Sequence, residues 1–208
     1  MSNLYDTITQ IVQQQMRQLR LSEIAIVQEL HVHEDDDDTN NHACTVVLRD
    51  SEIVLKKVPV SSGRLGMVAI PDIDDVVLIQ FINGDINAPI IVGSLYNEVT
   101  RPPLSTPGSA VLHLPEGAGE GDGARLELNA ADELSLKINI GGALTLELKD
   151  DDPVVMLDVA DGGASITIER DGTVQLESQG NIEMKGGGDI NIEASGQLNM
   201  KGSVINLN

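Results

Sequence analysis

His31 and His33 stand one residue apart, and four consecutive aspartates, Asp35 to Asp38, follow them. Alternate residues of an extended strand share a face, so two imidazoles beside carboxylate oxygens have the donor types for a divalent cation. The spacing argues against that chemistry. A calcium loop needs a glycine at its sharp turn and a closing bidentate glutamate, and a structural zinc site needs four ligands; neither pattern is present. A run of aspartates in a loop reads instead as a solvated surface. Cys44 is the sole cysteine, which excludes an intrachain disulfide and suits assembly in a reducing compartment. His42 and His113 have no partner visible in the sequence. Carboxylate pairs such as Glu116/Glu120 lack an apolar surround that would raise one pKa for acid catalysis. No G-x-S-x-G elbow, no G-x-x-x-x-G-K-[ST] phosphate cradle and no H-E-x-x-H helix occurs. The glycine-rich runs at 117–123 and 186–188 lack a following helix and a basic residue, so they read as turns. The residues therefore point to no catalytic site, no metal site and no cofactor, and to a protein that is not an enzyme.

Composition narrows the classes further. Thirty-three acidic against 13 basic residues give a net charge of −20, which opposes binding to nucleic-acid phosphates or to an anionic membrane. Tyr5, Phe81 and Tyr96 are the only aromatics, so a core must be built from Val, Ile, Leu and Met. No basic start with an apolar run marks a signal peptide, and no stretch reaches the ~20 apolar residues that span a bilayer.

The elements that would hold these residues fall into four stretches. Residues 1–20 carry Leu4, Ile8, Ile11, Val12, Met16 and Leu19 at helical spacing, with Asn3 placed as an N-cap and Asp6 in the first turn. The resulting amphipathic helix either packs on its own domain or docks a partner. Residues 21–100 hold short apolar runs, EIAIVQELHV, ACTVVLRD, EIVLKKVPV, MVAI, DVVLIQFI and PIIVGSLY, which predict a small antiparallel barrel of the OB type. Asn83-Gly84 between two of them predicts a hairpin. RPPLSTPGS opens a connector over 101–110, where prolines deny both helix and ladder bonding.

Residues 111–208 read as a shaft. Leu126/Leu128, Leu134/Leu136, Leu144/Leu146/Leu148 and Leu157/Val159 are apolar pairs at i, i+2. From Ile166 the pairs recur every eight residues: Ile166 with Ile168, Val174 with Leu176, Ile182 with Met184, Ile190 with Ile192, and Leu198 with Met200. Each pair puts one apolar face on one short strand. Eight residues supply a strand and a turn but no closed core, so burial calls for several chains wound together. The fold class expected is mainly β: an N-terminal helix, an OB barrel and a C-terminal intertwined triple-stranded β-helix in a homotrimer, with those ten residues as its core.

The stretch MVAIPDIDDVVLIQFINGDINAPIIVGSLYN resembles the OB domain of contractile-tail spike proteins, a group that includes phage baseplate assembly protein V and the VgrG proteins of type VI secretion. Pro71, Asp75, Val76, Phe81, Gly84, Asp85, Pro89, Gly93, Tyr96 and Asn97 fill the family's pattern, with Asp74 where the family usually has glycine. The order of helix, barrel, Pro-rich connector and octad repeat resembles the whole length of such a spike. The resemblance implies a homotrimeric central spike that acts mechanically, assembled in the cytoplasm and carried in a phage tail or a phage tail-like particle released from the cell. It further implies a separate baseplate hub protein, met by Leu4, Ile8, Ile11 and Val12, and a PAAR-type tip protein seated on Val204, Ile205, Leu207 and Asn208. The target membrane would be contacted mechanically. A β-solenoid tail protein that binds or degrades a surface polymer is the alternative, and it would show an aromatic-lined groove or a carboxylate pair with a perturbed pKa.

Overall fold

The computed structural model describes residues 4–18, 20–119, 121–131, 133–159 and 162–206. The chain divides into two compact units, Met1–Pro102 and Pro103–Asn208.

The first unit begins with α1 (Leu4–Gln18), which carries Asp6 in its first turn. The expected N-cap Asn3 and the apolar Leu19 lie outside the described residues. Leu4, Ile8, Ile11 and Val12 are all at least half exposed, so this stripe is not buried against the barrel. Five antiparallel strands follow: β1 (Ser22–His31), β2 (Ala43–Leu48), β3 (Val54–Pro59), β4 (Val76–Phe81) and β5 (Pro89–Ser94). Their order in the sheet is β3-β2-β1-β4-β5, and the two edge strands meet through a parallel bridge between Val60 and Ile91, with Ser61 N–H donating to the Ile91 carbonyl at 2.9 Å. This is the connectivity of a five-stranded Greek-key barrel of the OB type. Alternation sends Ala25 and Val27, Val46 and Leu48, and Val77 and Ile79 inward, where they pack with Cys44, Val58, Phe81 and Ile91. A single phenylalanine suffices because a barrel this narrow is filled by aliphatic side chains.

The run MVAI does not become a strand. Met67 and Val68 are exposed, and the segment is tied into a local turn: the Ser62 hydroxyl bonds the carbonyls of Arg64 (2.8 Å) and Met67 (2.9 Å), and Gly66 sits at φ +96°. Side chain-to-backbone bonds have displaced the ladder there. The β4–β5 hairpin forms as expected around Asn83 (φ 53°) and Gly84 (φ 76°), the left-handed values that Asn and Gly tolerate.

The second unit is a seven-stranded antiparallel meander: β6 (Ser109–Leu114), β7 (Ala124–Asn129), β8 (Ser135–Ile140), β9 (Leu144–Lys149), β10 (Val155–Val159), β11 (Ala164–Ile168) and β12 (Val174–Ser178). Each strand pairs with its neighbours in sequence, in the order β12-β11-β10-β9-β8-β7-β6. At three places the single chain differs from the expectation. Ser109 and Ala110, assigned to the connector, open β6. Over 109–178 the chain forms its own ladder, and the eight-residue units that hold Ile166, Ile168, Val174 and Leu176 pair within it.

The third concerns the last three units. Ile182, Met184, Ile190, Ile192, Leu198 and Met200, expected as trimer core, are not on strands and are not buried in the single chain. Residues 179–206 form no ladder, and the exposure of these side chains runs from 53% at Ile182, 54% at Ile190 and 56% at Leu198 to 60% at Met200, 61% at Ile192 and 67% at Met184. Residues 179–206 pair with no strand of their own chain, which leaves Met184, Ile192 and Met200 as bare as the isoleucines and leucine that precede them.

Candidate functional site

Among the described residues, His31 and His33 are held by separate contacts and Cys44 is buried. His31, at the end of β1, has its Nε2 2.8 Å from the Thr45 hydroxyl and 3.8 Å from a Glu29 carboxylate oxygen. His33 lies beyond the strand, with Nδ1 3.0 Å from Asp38. The two rings are thus committed to different partners. Asp38 is the organiser of the acidic loop. It accepts from the backbone N–H groups of Glu34, Asp35 and Asn40, and the His33 hydrogen bond, assisted by those of the backbone, holds its carboxyl well below the usual carboxylate range. Among the described residues no three His, Cys, Asp or Glu side chains are grouped to hold a metal. Cys44 is fully buried between barrel strands; burial, reinforced by the negative charge of Asp75, pushes its thiol up to about 11. A thiol so placed stays protonated and unreactive near neutral pH.

The motif residues shared with spike OB domains hold turns and pack the barrel. Pro71 and Phe81 are buried. An Asp75 carboxylate oxygen accepts from Asp72 N–H at 2.9 Å, while Asp74 N–H and the Asp75 carbonyl bond both backbone groups of Val27 on β1. Asp74 adopts φ +71°, so the turn keeps a glycine-like conformation with an aspartate in it. Asp85 caps the hairpin by accepting from Asn87 N–H (2.9 Å) and its side-chain amide (3.0 Å). Pro89 faces Phe81, and Gly93 faces Leu78 next to a bulge between Leu78 and Ile79. Asn97 closes the exit turn by accepting from Val99 and Thr100 N–H, each at 2.8 Å, and Tyr96 is exposed beside it. Gly84 supplies the positive φ at the hairpin.

The surface with the clearest functional content is a face of the meander. Register aligns its strands in three rows. The middle row runs Leu112, Leu126, Ile138, Leu146, Leu157, Ile166 and Leu176. On one side lie Ala110, Leu128, Leu136, Leu148, Val155, Ile168 and Val174, and on the other Leu114, Ala124, Ile140, Leu144, Val159, Ala164 and Ser178. Ser178 alone is polar. The opposite face is mostly charged and polar, as in the rung Glu127–Lys137–Glu147 and the 2.9 Å bond from the Asn139 amide to the Thr145 hydroxyl, with Val111 and Met156 among its apolar members. An isolated sheet cannot cover an apolar face of this size, and none of the described residues from 103 onward is buried; the described buried residues lie between Ala25 and Ile91. Of the ten residues singled out from the repeat, Ile166, Ile168, Val174 and Leu176 sit in this lattice, while Ile182, Met184, Ile190, Ile192, Leu198 and Met200 lie outside it. The signal that extends the lattice to β6–β9 is strict alternation in the sequence, but its partners were not readable there. Val204 and Ile205 are exposed; Leu207 and Asn208 lie outside the described residues.

The described residues form a one-sided meander and a five-stranded barrel of the OB type. Residues 54–96, from β3 through β5, match the family described as the type VI secretion system/phage-baseplate injector OB domain. The matched residues lie within the barrel whose turn motif resembles spike OB domains, and the likeness points to a baseplate-related role. Among the described residues no helix is long and apolar enough to cross a membrane.

Proposed function

We propose that the protein is the non-enzymatic central spike of a contractile injection machine, and that it acts as a homotrimer. The observation that carries this reading is the uncovered apolar face of the meander. Single soluble chains rarely expose a contiguous apolar patch of more than a few hundred Å², and a seven-strand face with three apolar rows exceeds that. Three copies related by a threefold axis cover one another's faces and leave the charged faces outside, which suits a chain of net charge −20. In this reading the exposed stripe of α1, Leu4, Ile8, Ile11 and Val12, meets a hub protein, and the apolar segment at Val204 and Ile205 seats a PAAR-type tip that meets the target membrane. Force passes along a shaft whose rigidity comes from ladder hydrogen bonds and a continuous aliphatic interior. Sedimentation equilibrium tests the reading: a species of three times the 22.2 kDa chain mass is expected, and a stable monomer at micromolar concentration overturns it.

A further inference from the structure

We propose that the barrels dock to one another head to tail, the basic β3 edge and β3–β4 loop of one copy taking the acidic β1–β2 loop of the next. The proposal rests on the trimeric reading and deepens it by adding a contact between barrels to the one between sheets. Residues 53–71 carry Lys56, Lys57 and Arg64 and no acid, in a chain of net charge −20. Residues 34–38, Glu34 and four aspartates, carry no base. The three cations are exposed, and among the described residues none of them makes an ion pair. The same holds for Glu34, Asp36 and Asp37.

Both surfaces are preformed. Strand alternation would turn one of two successive lysines inward. A register shift between Cys44 and Val46 on β2, with Lys57 at φ +51°, leaves Lys56 and Lys57 both outside. A left-handed lysine costs conformational energy, and no ion pair in its own chain offsets that cost. The β3–β4 loop is set by the Ser62 hydroxyl, and it holds Leu65 at 95% exposure and Val68 at 79% near Arg64. In the β1–β2 loop, Asp38 accepts from the backbone N–H groups of Glu34, Asp35 and Asn40, and Asp35 from those of Asp37 and Asp38. The loop is thereby ordered with Glu34, Asp36 and Asp37 still free for a partner.

Charge and placement select a second copy as the occupant. The free cations match the free carboxylates in number. Val60 N–H donates to the His42 carbonyl at 3.0 Å, so the two loops leave the barrel side by side, yet no ion pair joins them within the chain. Two complementary patches on one chain close a ring when each copy gives its basic patch to one neighbour and its acidic patch to the other, which a threefold axis provides. Leu65 and Val68 lose water in the same contact, and that strengthens the charge pairs beside them.

Cross-linking reads the contact with the charges left in place. Gly63 and Thr39 flank the charged residues, and a Cβ added at Gly63 meets no atom within 4 Å. In a Cys44→Ala background, Gly63→Cys chains co-expressed with Thr39→Cys chains and treated with a short bismaleimide should give linked dimers on a denaturing gel. Chains carrying both substitutions should give linked trimers. Adding Lys56→Glu with Arg64→Glu should abolish the linking, and adding Asp36→Lys with Asp37→Lys to those should restore it. Sedimentation follows every sample. A trimer that gives no link, or links only within one chain by peptide mass, overturns the barrel contact and leaves the trimeric reading standing. Linking that charge reversal does not change overturns it as well. A monomer sinks the trimeric reading and the barrel contact with it, so the two failures are distinguishable.

Discussion

Leu146→Asp is the sharpest single test of the apolar face. Leu146 is the middle residue of the middle row, aligned with Ile138 on β8 and Leu157 on β10, and already part-buried by them in one chain. Covering the face by two further copies removes its remaining surface from water, a gain of about 1 kcal/mol for a half-covered leucine. An aspartate forfeits that and must lose its hydration, at several kcal/mol per ion, three times over around one axis. The total opposes assembly by on the order of 10 kcal/mol, or about seven decades in the association constant. The carboxyls have one escape, which is to bind protons. Their folded pKa would then be raised, so the trimer regains stability as pH falls below that raised value and loses it as pH rises. Sedimentation velocity at pH 7 and pH 4 follows both effects: monomer with intact strand circular dichroism at neutral pH, and partial return of the trimer in acid. The neighbouring Glu147, on the opposite face between Lys137 and Met156, supplies the control; Glu147→Gln should shift stability by no more than about 0.5 kcal/mol and leave the trimer whole. A trimeric Leu146→Asp at neutral pH, or a Glu147→Gln that dissociates, refutes the assignment of faces.

Three further outcomes are expected. Cys44 should resist a thiol reagent in the native protein and react once with the denatured chain, because burial keeps its thiol protonated up to about 11; fast native labelling would contradict the buried position. Gly123→Ala should destabilise the β6–β7 hairpin by about 1–3 kcal/mol, measured as a lowered melting temperature, since Gly123 sits at φ +84° and an added Cβ would lie 2.2 Å from the Leu114 carbonyl oxygen. An unchanged melting temperature would show that this turn does not hold the left-handed conformation. The Asp38 carboxyl, followed by NMR, should titrate below the ordinary carboxylate range; its depressed folded pKa means the loop contacts are fully in place above the unfolded value and are lost as pH falls through the folded one. An ordinary Asp38 titration would show that the His33 and backbone bonds do not persist in solution.

Much of the fold was legible in residue types, and the exceptions have physical causes. The three- and four-residue steps from Leu4 to Val12 mark α1, and the Asn83-Gly84 dipeptide marks the β4–β5 hairpin, because helical period and left-handed turn residues are local properties. MVAI misled because its apolar content resembles a strand while Ser62 and Gly66 hold it in a turn. In the shaft, the alternation at Leu126/Leu128 or Leu144/Leu146/Leu148 states which residues share a face. It carries no information about which chain provides the next strand, since an apolar pair is satisfied equally by either. That is why the units at Ile166 and Val174 could be read as intertwined and are found as an in-chain hairpin. The same blindness explains Met184, Ile192 and Met200, whose spacing matches that of Ile168 and Leu176 but whose segment finds no strand partner in its own chain. At the histidines, the contacts that commit His31 to Thr45 and His33 to Asp38 are ones that no spacing rule supplies.

The meander also bears on how such a shaft forms. Its hairpins join neighbours in sequence, so they close by short loops and form quickly, before any contact between copies is needed. What this leaves exposed is one apolar face per chain, a surface prone to indiscriminate association. Two features restrict its choice of partner. The reverse face carries rungs such as Glu127–Lys137–Glu147 that lose hydration if packed inward, which rules out stacking back to front. The high negative charge of the chain makes any loose aggregate self-repelling unless its apolar gain is large, as it is when three complete faces meet. On the proposed trimeric reading, residues beyond Ser178, which form no ladder in the single chain, come side by side only once the three faces have met, so that any contact between their apolar pairs, slow when chains must first meet, becomes nearly intramolecular.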